Sequence, residues 1–412
     1  MLSNICSQEK CTACGACINI CPRDCIKYVF DEYGVKRAYK DEERCIDCNL
    51  CLKTCPSIST EKMGRVPVKC YAAWSNDCGI RFNSASGGIA SEFYKYATEN
   101  GYWIVGVSLN ENFDAVYSLK KGDWKAFQNS KYTYSDTGYI YRSILEKLYD
   151  NEKVLFIGLP CHVAALKLFL YTKNVDLCNL VTIDLICHGV TPQDYLKEHV
   201  RKIETQKGKK ATEVYFRDPK YKTYTFTFSL KNCGTTFYKR KVNRNDAYQI
   251  AYHRGIGYRE NCYLCKFASI ERQGDITLSD FVGVGSKTLC DYTHRNVSCV
   301  MINSEKGETF YKKLVSSGRI FSEERPIEEE YNTERMLHNP TPVPPERLKF
   351  LNSYRESGDF DKALICAAQK IIIFNEVNNF IKFNEIRLFV LKRVPKSLKE
   401  RIKRVLRKCE TA

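Results

Sequence analysis

Two cysteine repeats near the beginning of the chain constrain its fold more than any other feature. The segments CTACGACINICP and CIDCNLCLKTCP share the spacing Cys-x2-Cys-x2-Cys-x3-Cys-Pro. Three thiolates at this step can hold three irons of one [4Fe-4S] cubane, and the fourth cysteine begins a short helix that points its thiolate at the other cluster. The repeats therefore predict two clusters, one held by Cys11, Cys14, Cys17 and Cys55 and the other by Cys45, Cys48, Cys51 and Cys21.

A pair of zinc knuckles would also use Cys-x2-Cys, but zinc requires neither a third cysteine at the same step nor the Cys-Pro ending. The repeats are similar to those of bacterial two-cluster ferredoxins, and the stretch between them resembles the ferredoxin hairpin, with its turn at Asp31 to Gly34. Cys6 and Cys25 fit neither predicted site and are interpreted as buried or spare thiols. We predict a two-cluster ferredoxin domain over residues 1–60.

The overall composition indicates where the protein works. The chain has 412 residues, of which 22 are cysteine, and its formal charge is +16. It opens MLSNICSQEK, without the charged-then-apolar pattern of a signal peptide. No stretch approaches the length of a membrane span, about 18 apolar residues. Dense cysteine outside an oxidising compartment favours metal ligation over disulfides, so we expect a cytoplasmic protein.

From residue 68 onwards, β-rich runs alternate with helical patterns. The candidate strands span 68–74, 102–109, 153–158, 180–187, 225–230, 275–281 and 298–303. The candidate helices are GGIASEFYKYATEN, YIYRSILEKLYD, HVAALKLFL, PQDYLKEHVRKIE and KGETFYKKLVSS. This alternation favours an α/β domain with a largely parallel or mixed sheet. The predicted fold class is α+β or α/β, with a small ferredoxin-like domain, a mixed-sheet α/β body over 66–345 and a helical basic tail over 346–412.

Four further cysteines lie at predicted strand ends or at ligand spacing. Cys161 follows one predicted strand, Cys187 ends the next, and Cys262 and Cys265 form a Cys-x2-Cys pair. Ligands of α/β sheets bind at the carboxyl ends of strands, and four thiolates suit a further cubane cluster. A catalytic cysteine–histidine pair is the alternative at the first two cysteines, each of which is followed by histidine, although neighbouring residues rarely aim at each other.

A run of small residues marks another strand end. In NSASGGIASEF, Ser86, Gly87 and Gly88 precede a predicted helix that begins near Ile89. Small residues let backbone N–H groups approach an anion at the positive end of a helix, so a phosphate or pyrophosphate would fit. An ordinary helix cap is the alternative interpretation.

Several motifs of the body together resemble the β-subunit family of coenzyme F420 hydrogenases and dehydrogenases. They are NSASGGIASEF, SKYTYSDTGYIYRSI, LFIGLPCHVAALKLFL, DLICHGVTP, FRD at 216–218 and CYLCKFASIERQGDITLSDFVG. The resemblance extends from about Cys70 to Ser317. Members of this family are flavoproteins that bind FAD and a [4Fe-4S] cluster and pass electrons between iron-sulfur centres and a redox partner. Some carry a two-cluster ferredoxin module ahead of the core.

The resemblance implies cofactors and site residues. It implies three [4Fe-4S] clusters in all, with the core cluster on Cys161, Cys187, Cys262 and Cys265. It implies FAD at Ser86, Gly87, Gly88, Lys131 and Tyr132, and places Asp280 near the flavin or the substrate. The sequence departs from the family pattern at His162, where Gln is common, at Ser279, where Gly is usual, and at Val282, where Trp is frequent. Family members reduce quite different substrates, including a chlorophyll derivative and sulfite, so the resemblance does not fix the substrate.

The expected function is an electron relay. Two ferredoxin clusters accept single electrons, the core cluster hands them to FAD, and FAD pairs them to reduce a coenzyme or small substrate, or the flow runs in reverse. His162, His188 and Asp280 are the candidate general acids. The donor would be a redox partner protein, such as a ferredoxin or a hydrogenase- or dehydrogenase-type subunit, or a reduced deazaflavin or nicotinamide.

Two alternatives stay open. The chain could be an electron-transfer subunit without substrate chemistry of its own that serves a partner enzyme, for example in surface polysaccharide biosynthesis. It could also be an iron-sulfur sensor or scaffold protein. Flavin binding would separate the first two interpretations from the sensor.

The C-terminal tail carries a large share of the positive charge. The last 37 residues contain eleven Lys and Arg against four Glu. Apolar residues recur at helical spacing after Pro395, which predicts a basic amphipathic helix. Such a helix could lie on the anionic inner membrane surface, dock an acidic partner or pack on the body. Nucleic-acid binding is not expected, because aromatic residues are not interleaved with the basic ones.

Overall fold

A computed structural model of the protein describes residues 2–61 and 63–381. The predicted basic helix after Pro395 lies outside the described residues. Within them, no helix has both the length and the apolar character needed to cross a lipid bilayer.

The N-terminal module combines two short helices with a small antiparallel sheet. Its strands are β1 (Leu2–Asn4), β2 (Ile26–Phe30) and β3 (Lys36–Asp41), in the order β1-β3-β2, and its helices are α1 (Ala16–Ile20) and α2 (Leu50–Thr54). The predicted hairpin is present as β2 and β3. The carboxylate of Asp31 fixes its turn by accepting the N–H groups of Tyr33 and Val35, both at 2.9 Å.

The helices of the module differ from the expectation in one respect. Each contains the third cysteine of its repeat and ends just before the fourth, so the expected helix that begins at the fourth cysteine is wrong. Cys21 and Cys55 instead have extended backbone, with ψ of 117° and 112°. The reason is the proline that follows each of them, because proline disfavours helical backbone at the preceding residue.

The other strands and helices follow along the chain. The strands are β4 (Lys69–Ser75), β5 (Trp103–Leu109), β6 (Ala115–Lys120), β7 (Ser135–Asp136), β8 (Val154–Gly158), β9 (Leu180–Leu185), β10 (Glu213–Tyr215), β11 (Thr227–Asn232), β12 (Thr235–Lys241), β13 (Ile276–Asp280), β14 (Ser298–Ile302) and β15 (Ile320–Arg325). The helices are α3 (Cys78–Phe82), α4 (Ile89–Glu99), α5 (Ile140–Tyr149), α6 (Pro160–Thr172), α7 (Gln193–Lys207), α8 (Ala247–His253), α9 (Glu260–Tyr263), α10 (Glu305–Ser316), α11 (Glu328–Tyr331), α12 (Arg347–Ser357), α13 (Phe360–Ala367) and α14 (Gln369–Phe380). The five expected helices are present as α4, α5, α6, α7 and α10.

Nine of the described strands form one mixed sheet in the order β15-β4-β14-β13-β9-β8-β5-β6-β7. β5, β8, β9 and β13 are parallel neighbours, and antiparallel pairs flank them on both sides. β8 is buried along its whole length, which is typical of a parallel strand covered on both faces. The predicted mixed-sheet α/β body is confirmed.

The sequence did not predict the two edge strands of this sheet, β7 and β15. β7 has only two residues, and β15 has the sequence IFSEER, with three charged residues. Short and charged strands are common at sheet edges, where they discourage pairing with another chain. They also lack the apolar alternation by which strands are recognised.

A second, smaller unit of the body forms around the antiparallel sheet of β10, β11 and β12. α7, α8, α12 and α13 contribute aromatic and aliphatic side chains to a common core with this sheet. α12 and α13 fall within the expected tail, yet Phe350 and Phe360 bury them in this core. The described helices up to residue 367 are therefore packed on the body.

The ferredoxin module is attached to the body through α1. Arg142 of α5 donates to the carbonyl oxygens of Ile18, Asn19 and Cys21 at 3.1, 2.8 and 3.1 Å. It also pairs with the carboxylate of Asp24 at 2.7 Å. Arg142 therefore binds the free carbonyl groups at the end of α1, which would otherwise need water.

A buried charged trio joins the helices of the second core. Nδ1 of His199 in α7 lies 2.9 Å from Oδ1 of Asp361 in α13, and its Nε2 lies 3.1 Å from Oδ2 of Asp246, which caps α8. Burial alone would lower the pKa of His199, but the two carboxylates outweigh it and raise the pKa to about 10. His199 is therefore protonated at neutral pH.

We expect His199→Gln to reduce stability by about 3 kcal/mol, because it leaves two buried carboxylates without their cation. The pKa of His199 is raised above its ordinary value of 6.5, so its stabilising effect is complete below pH 6.5 and is lost as the pH rises towards about 10. The difference in Tm between wild type and variant should thus be larger near pH 6 than at about pH 9.5. The exposed His294→Gln is the control. An equal difference at both pH values would contradict this protonation state.

Candidate redox centre

The first cysteine group contains residues from both repeats. Cys11, Cys14 and Cys17 lie close enough to Cys55 for each thiol to act electrostatically on its neighbours. Burial, reinforced by these neighbours, raises the pKa of Cys17 well above its ordinary value. The group has the donor set of one [4Fe-4S] cluster, including a fourth ligand from the other repeat.

The second cysteine group surrounds a cavity in the module. Cys21, Cys45, Cys48 and Cys51 all line this cavity. These are the four cysteines that the repeat pattern assigns to the second cluster. Cys25 lines the same cavity, and its Sγ lies 3.4 Å from Sγ of Cys21.

Each of these groups contains a fifth thiol that the spacing did not assign. Cys25 occupies this position in the second group, and Cys6 contacts both Cys11 and Cys55 in the first. Both residues lie outside the repeats, so ligand spacing carries no signal for them. Their position is visible only in the folded module.

Gly15 lets the first cysteine loop lie directly on the body. Its φ is +79°, and a Cβ at this position would lie 2.2 Å from Oγ1 of Thr137. The Thr137 hydroxyl donates to the carbonyl of Cys14 at 3.1 Å, and the Tyr134 hydroxyl donates to the carbonyl of Ala13 at 2.7 Å. Side chains of the body thus bind the carbonyl groups of this loop.

A third thiol group forms in the body, where four cysteines from three segments meet. Cys161 lies in the first turn of α6, Cys187 follows β9, and Cys262 and Cys265 lie in and just after α9. Cys161 interacts electrostatically with the other three, and burial raises its pKa well above the ordinary value. The structure therefore brings together the four cysteines that the sequence grouped.

The core thiols lie next to the first ferredoxin group, and the charge of Cys14 acts on Cys161. Between the two loops, the hydroxyl oxygen of Tyr141 lies 2.8 Å from the carbonyl oxygen of Cys14 and 3.3 Å from that of His162. One buried side chain therefore joins the two cysteine loops.

A buried guanidinium lies between the same two groups. Arg259 is 1% exposed, and its Nη2 donates to the carbonyl oxygens of Cys11 and Lys36 at 3.2 and 2.9 Å. Its charge acts on the thiols of both Cys11 and Cys262. In the described part of the chain its hydrogen-bond partners are carbonyl and amide oxygens, with no carboxylate among them. Such a cation fits two groups that are negatively charged when they hold iron.

A cluster of polar and aromatic residues lies where β13 ends. Nη1 of Arg217 donates to the carboxylate of Asp280, the last residue of β13, at 2.6 Å. The same nitrogen is 3.4 Å from the hydroxyl of Tyr132, whose ring stacks on Tyr252 with 4.5 Å between centroids. Arg217 thus joins two residues that the resemblance placed at the flavin. Arg217 belongs to the FRD motif, but the motif alone does not assign it to this site, because its partner Asp280 is 63 residues away.

The three candidate general acids have different surroundings. His188 is half-exposed, and its Nε2 lies 3.0 Å from Oε1 of Glu334. Burial alone would lower the pKa of His188, but the hydrogen bond and charge of Glu334 outweigh it and raise the pKa, to which Asp280 also contributes. His162 is buried with its Nδ1 2.9 Å from the Tyr117 hydroxyl, and burial lowers its pKa to about 3. His188 and Asp280 are thus close together, whereas His162 is neutral inside the body.

Lys131 is a partly buried cation without a carboxylate partner among the described residues. Its Nζ donates to the carbonyl oxygens of Phe127, Gln128 and Asn129 at 3.1, 2.7 and 3.1 Å. Burial lowers its pKa to about 7. The side-chain oxygen of Asn129 is also buried and has no hydrogen-bond partner within the described residues. These two groups fit a ligand that brings negative charge and a hydrogen-bond donor.

The turn expected to hold a phosphate packs tightly on the sheet. The Ser86 hydroxyl donates to the carbonyl of Val297, and the Gly87 N–H donates to the Ser298 hydroxyl, both at 3.0 Å. A Cβ on Gly87 would lie 2.5 Å from the carbonyl oxygen of Ala73, so only glycine fits there. Both polar groups are therefore bound to the protein itself.

Gly88 follows this turn with a φ of +90° and precedes α4. The beginning of α4 already contains a carboxylate, because Glu92 is buried there and accepts a hydrogen bond from the Ser75 hydroxyl. Burial raises the pKa of Glu92. A second anion at this helix end would have to lie beside this carboxyl group.

Fold and thiol groups together define an iron-sulfur protein with an α/β body. Residues 10–58 match the sequence model of the 4Fe-4S dicluster domain, and residues 151–329 match that of the C terminus of the coenzyme F420 hydrogenase/dehydrogenase beta subunit. Residues 151–329 therefore carry the C-terminal domain of this β-subunit family, and a ferredoxin module precedes it at residues 10–58. The chain is thus an iron-sulfur electron-transfer protein of an oxidoreductase family, and the predicted family and module are confirmed.

Among solved structures, the chain is similar to the F420-reducing [NiFe] hydrogenase complex from Methanosarcina barkeri. The two are 19% identical, the match covers 74% of this chain and 92% of that chain, and the TM-score is 0.43. No curated protein matches the chain.

The contact of Gly15 with Thr137 predicts that Gly15→Ala disturbs the first cysteine loop. Iron content of the anaerobically purified protein should fall by about four atoms per chain, the content of one cubane. Gly101→Ala is a matched control, because Gly101 has the same φ of +79° with nothing within 4 Å of the added Cβ. Thr137→Gly in the Gly15→Ala background should restore part of the iron. Equal iron in the Gly15 and Gly101 variants would contradict the proposed role of the contact.

Proposed function

We propose that the chain is an oxidoreductase that uses FAD and three [4Fe-4S] clusters. The observation that carries the proposal is the meeting of four core cysteines beside the first ferredoxin group. The eight repeat cysteines would hold two clusters. Cys161, Cys187, Cys262 and Cys265 would hold the third, because these four neighbouring thiols supply one ligand for each iron of a cubane.

In this proposal each part of the chain has its own role. Residues 1–60 form the ferredoxin domain, residues 66–345 form the flavin and iron-sulfur domain, and residues 346–412 form the tail. Iron-sulfur clusters transfer single electrons, and a flavin stores one or two. Three clusters and FAD bound to the chain would therefore connect one-electron donors to two-electron chemistry. Tyr141 would keep the two cysteine loops in fixed relation, and Arg259 would balance negative charge at both.

The proposed flavin site lies around Lys131 and Tyr132. Lys131 would meet the charge of the diphosphate, and Tyr132, stacked on Tyr252, would offer an aromatic surface. Arg217 is held in place by Asp280 at the same edge. The segment from Ser86 to Gly88 would form a close-packed wall, since its polar groups already bind the sheet.

Two-electron chemistry on a substrate needs a group that gives or takes a proton. His188 is half-exposed and oriented by Glu334, and Asp280 lies near enough to help raise the pKa of His188. These two residues are the proposed proton-transfer groups. His162 is enclosed between Cys161 and Tyr117, so in the proposal it positions the cysteine loop.

We propose a redox partner protein as the electron donor, either a ferredoxin or a hydrogenase- or dehydrogenase-type subunit, with a reduced deazaflavin or nicotinamide as the small-molecule counterpart. The proposed location is the cytoplasm, with contact at the inner membrane surface. The alternative function is an electron-transfer subunit that delivers electrons to a partner enzyme and has no substrate of its own.

Analysis of iron, sulfide, zinc and flavin in the anaerobically purified chain tests the proposal. We expect about twelve irons and about one FAD per chain. Cys187→Ser removes one core ligand, so iron should fall to about eight and reduced ferredoxin should no longer reduce the flavin, while the ferredoxin clusters keep their spectra. Cys178→Ser changes an exposed cysteine outside the three groups and should keep the full content.

Each other result has a distinct meaning. About eight irons in the wild type, or zinc in the core group, would contradict the third cluster. A full iron content without flavin would contradict the FAD site and favour the electron-transfer subunit.

Lys131→Met should weaken FAD binding, because it removes the cation proposed to meet the diphosphate. Burial lowers the pKa of Lys131 to about 7, so the side chain of the flavin-free protein is charged mainly below that pH. Wild type should therefore bind FAD up to about tenfold more tightly near pH 6 than near pH 8, and the variant should lose this difference. Fluorescence titration of the flavin-depleted proteins with FAD measures the affinity of wild type and variant at each pH. Lys173→Met, which changes an exposed lysine, is the control. Equal FAD affinities of the two variants would contradict the proposed role of Lys131 in flavin binding.

A further inference from the structure

One face of α14 is apolar and exposed. Its residues follow helical spacing, and Phe374 and Phe380 are 63% and 89% exposed. The full set is Ile373, Phe374, Val377, Phe380 and Ile381. The opposite side of the helix packs on the second core through Ile371 and Ile372. The helix therefore presents a continuous apolar stripe that nothing in the described part of the chain covers.

A basic segment lies beside this stripe. The end of β12 and the following turn have the sequence KRKVNRN, and they carry four exposed basic residues, Lys239, Arg240, Lys241 and Arg244. The amide of Asn379 in α14 donates to the carbonyl of Asn243 at 2.9 Å, and that of Asn375 donates to the side-chain oxygen of Asn245 at 2.9 Å. These bonds hold the basic turn against α14.

The four basic residues form no ion pair with a carboxylate in the described ranges 2–61 and 63–381. Lys239 and Arg240 instead lie over the rings of Tyr221 and Tyr238. The nearest acidic group on the helix is Glu376, whose Oε1 is 3.5 Å from the amide of Asn245. The positive charge of the turn is thus left for an external partner. The sequence after Ile381 is also basic, with eleven Lys and Arg against three Glu.

We propose that the α14 face, meaning the apolar stripe and the adjacent basic turn, docks on the surface of an anionic phospholipid bilayer. Apolar side chains of an interfacial helix enter the boundary between headgroups and acyl chains, while Lys and Arg bind the phosphates. Stable attachment to a membrane needs both apolar insertion and electrostatic attraction, and the α14 face supplies both. A symmetric dimer through the same face would bring two basic turns together, and like charges at an interface are unfavourable.

Vesicle flotation with the full-length, cluster-loaded protein tests this proposal. We expect binding to vesicles of phosphatidylcholine with about one third phosphatidylglycerol, no binding to pure phosphatidylcholine, and release at high salt. Phe374→Ser/Phe380→Ser should reduce binding about tenfold or more through the apolar part. Lys239→Glu/Lys241→Glu should do the same through the basic part.

Two matched controls change similar residues elsewhere. Leu289→Ser alters a side chain that is 92% exposed in another loop, and Lys173→Glu/Lys313→Glu reverses two exposed charges, one just after α6 and one on α10. Both should bind vesicles like the wild type. Iron content and visible spectra, which should not change in any variant, show that each protein is folded and loaded.

Three results would overturn the proposal. The first is a wild type that does not float with anionic vesicles. The second is equal binding by wild type and both face variants, which would assign membrane contact to the tail alone. The third is a wild-type dimer that ignores vesicles and becomes a monomer in the Phe374→Ser/Phe380→Ser variant, which would make the face an interface between two copies.

Discussion

The arrangement of the redox centre depends on one set of interactions, in which side chains of the body bind the backbone carbonyls of the first cysteine loop. The pairs are Arg259 with Cys11, Tyr134 with Ala13, and Tyr141 with Cys14. All three side chains are buried, and a buried donor that loses its partner costs about 1–3 kcal/mol. The loop is therefore fixed in position and orientation, and the thiols that it carries stay at a constant separation from the core thiols.

The buried basic side chains of the body divide into two kinds. The buried guanidinium of Arg272 pairs with Asp184 at 3.1 Å, and that of Arg325 pairs with Glu329 at 2.9 Å, so both are balanced within the fold. Arg259 and Lys131 have only carbonyl or amide oxygens as hydrogen-bond partners among the described residues. An uncompensated buried charge costs several kcal/mol. A negatively charged group bound beside either side chain would balance its charge. The thiol groups lie beside Arg259, and the diphosphate is proposed to bind beside Lys131.

The sequence predicts those residues of the redox centre that can be recognised from their immediate neighbours along the chain. Ligand spacing identifies the eight repeat cysteines, and strand ends identify Cys161 and Cys187 because parallel strands end at one edge of a sheet. Arg259 could not be found in this way, since its partner Cys11 is 248 residues distant and nothing in YRENC marks the contact. Cys6 and Cys25 were missed because their positions depend on how the module folds. The edge strands β7 and β15 were missed because they lack apolar alternation.

The α14 face and the core thiols belong to one packed unit. α12 begins at Arg347, whose Nη1 donates to the carbonyl of Ile256 at 2.7 Å and whose guanidinium lies 5.3 Å from the ring centroid of Tyr263, next to Cys262. α12 and α13 cross the second core, and α14 follows α13 after a single residue. Close packing of this core leaves little room for α14 to move independently of the thiols. A bilayer bound at α14 would therefore hold the core thiols at a fixed height above the lipid surface, so membrane attachment would also set the position of the redox centre relative to any partner at that surface.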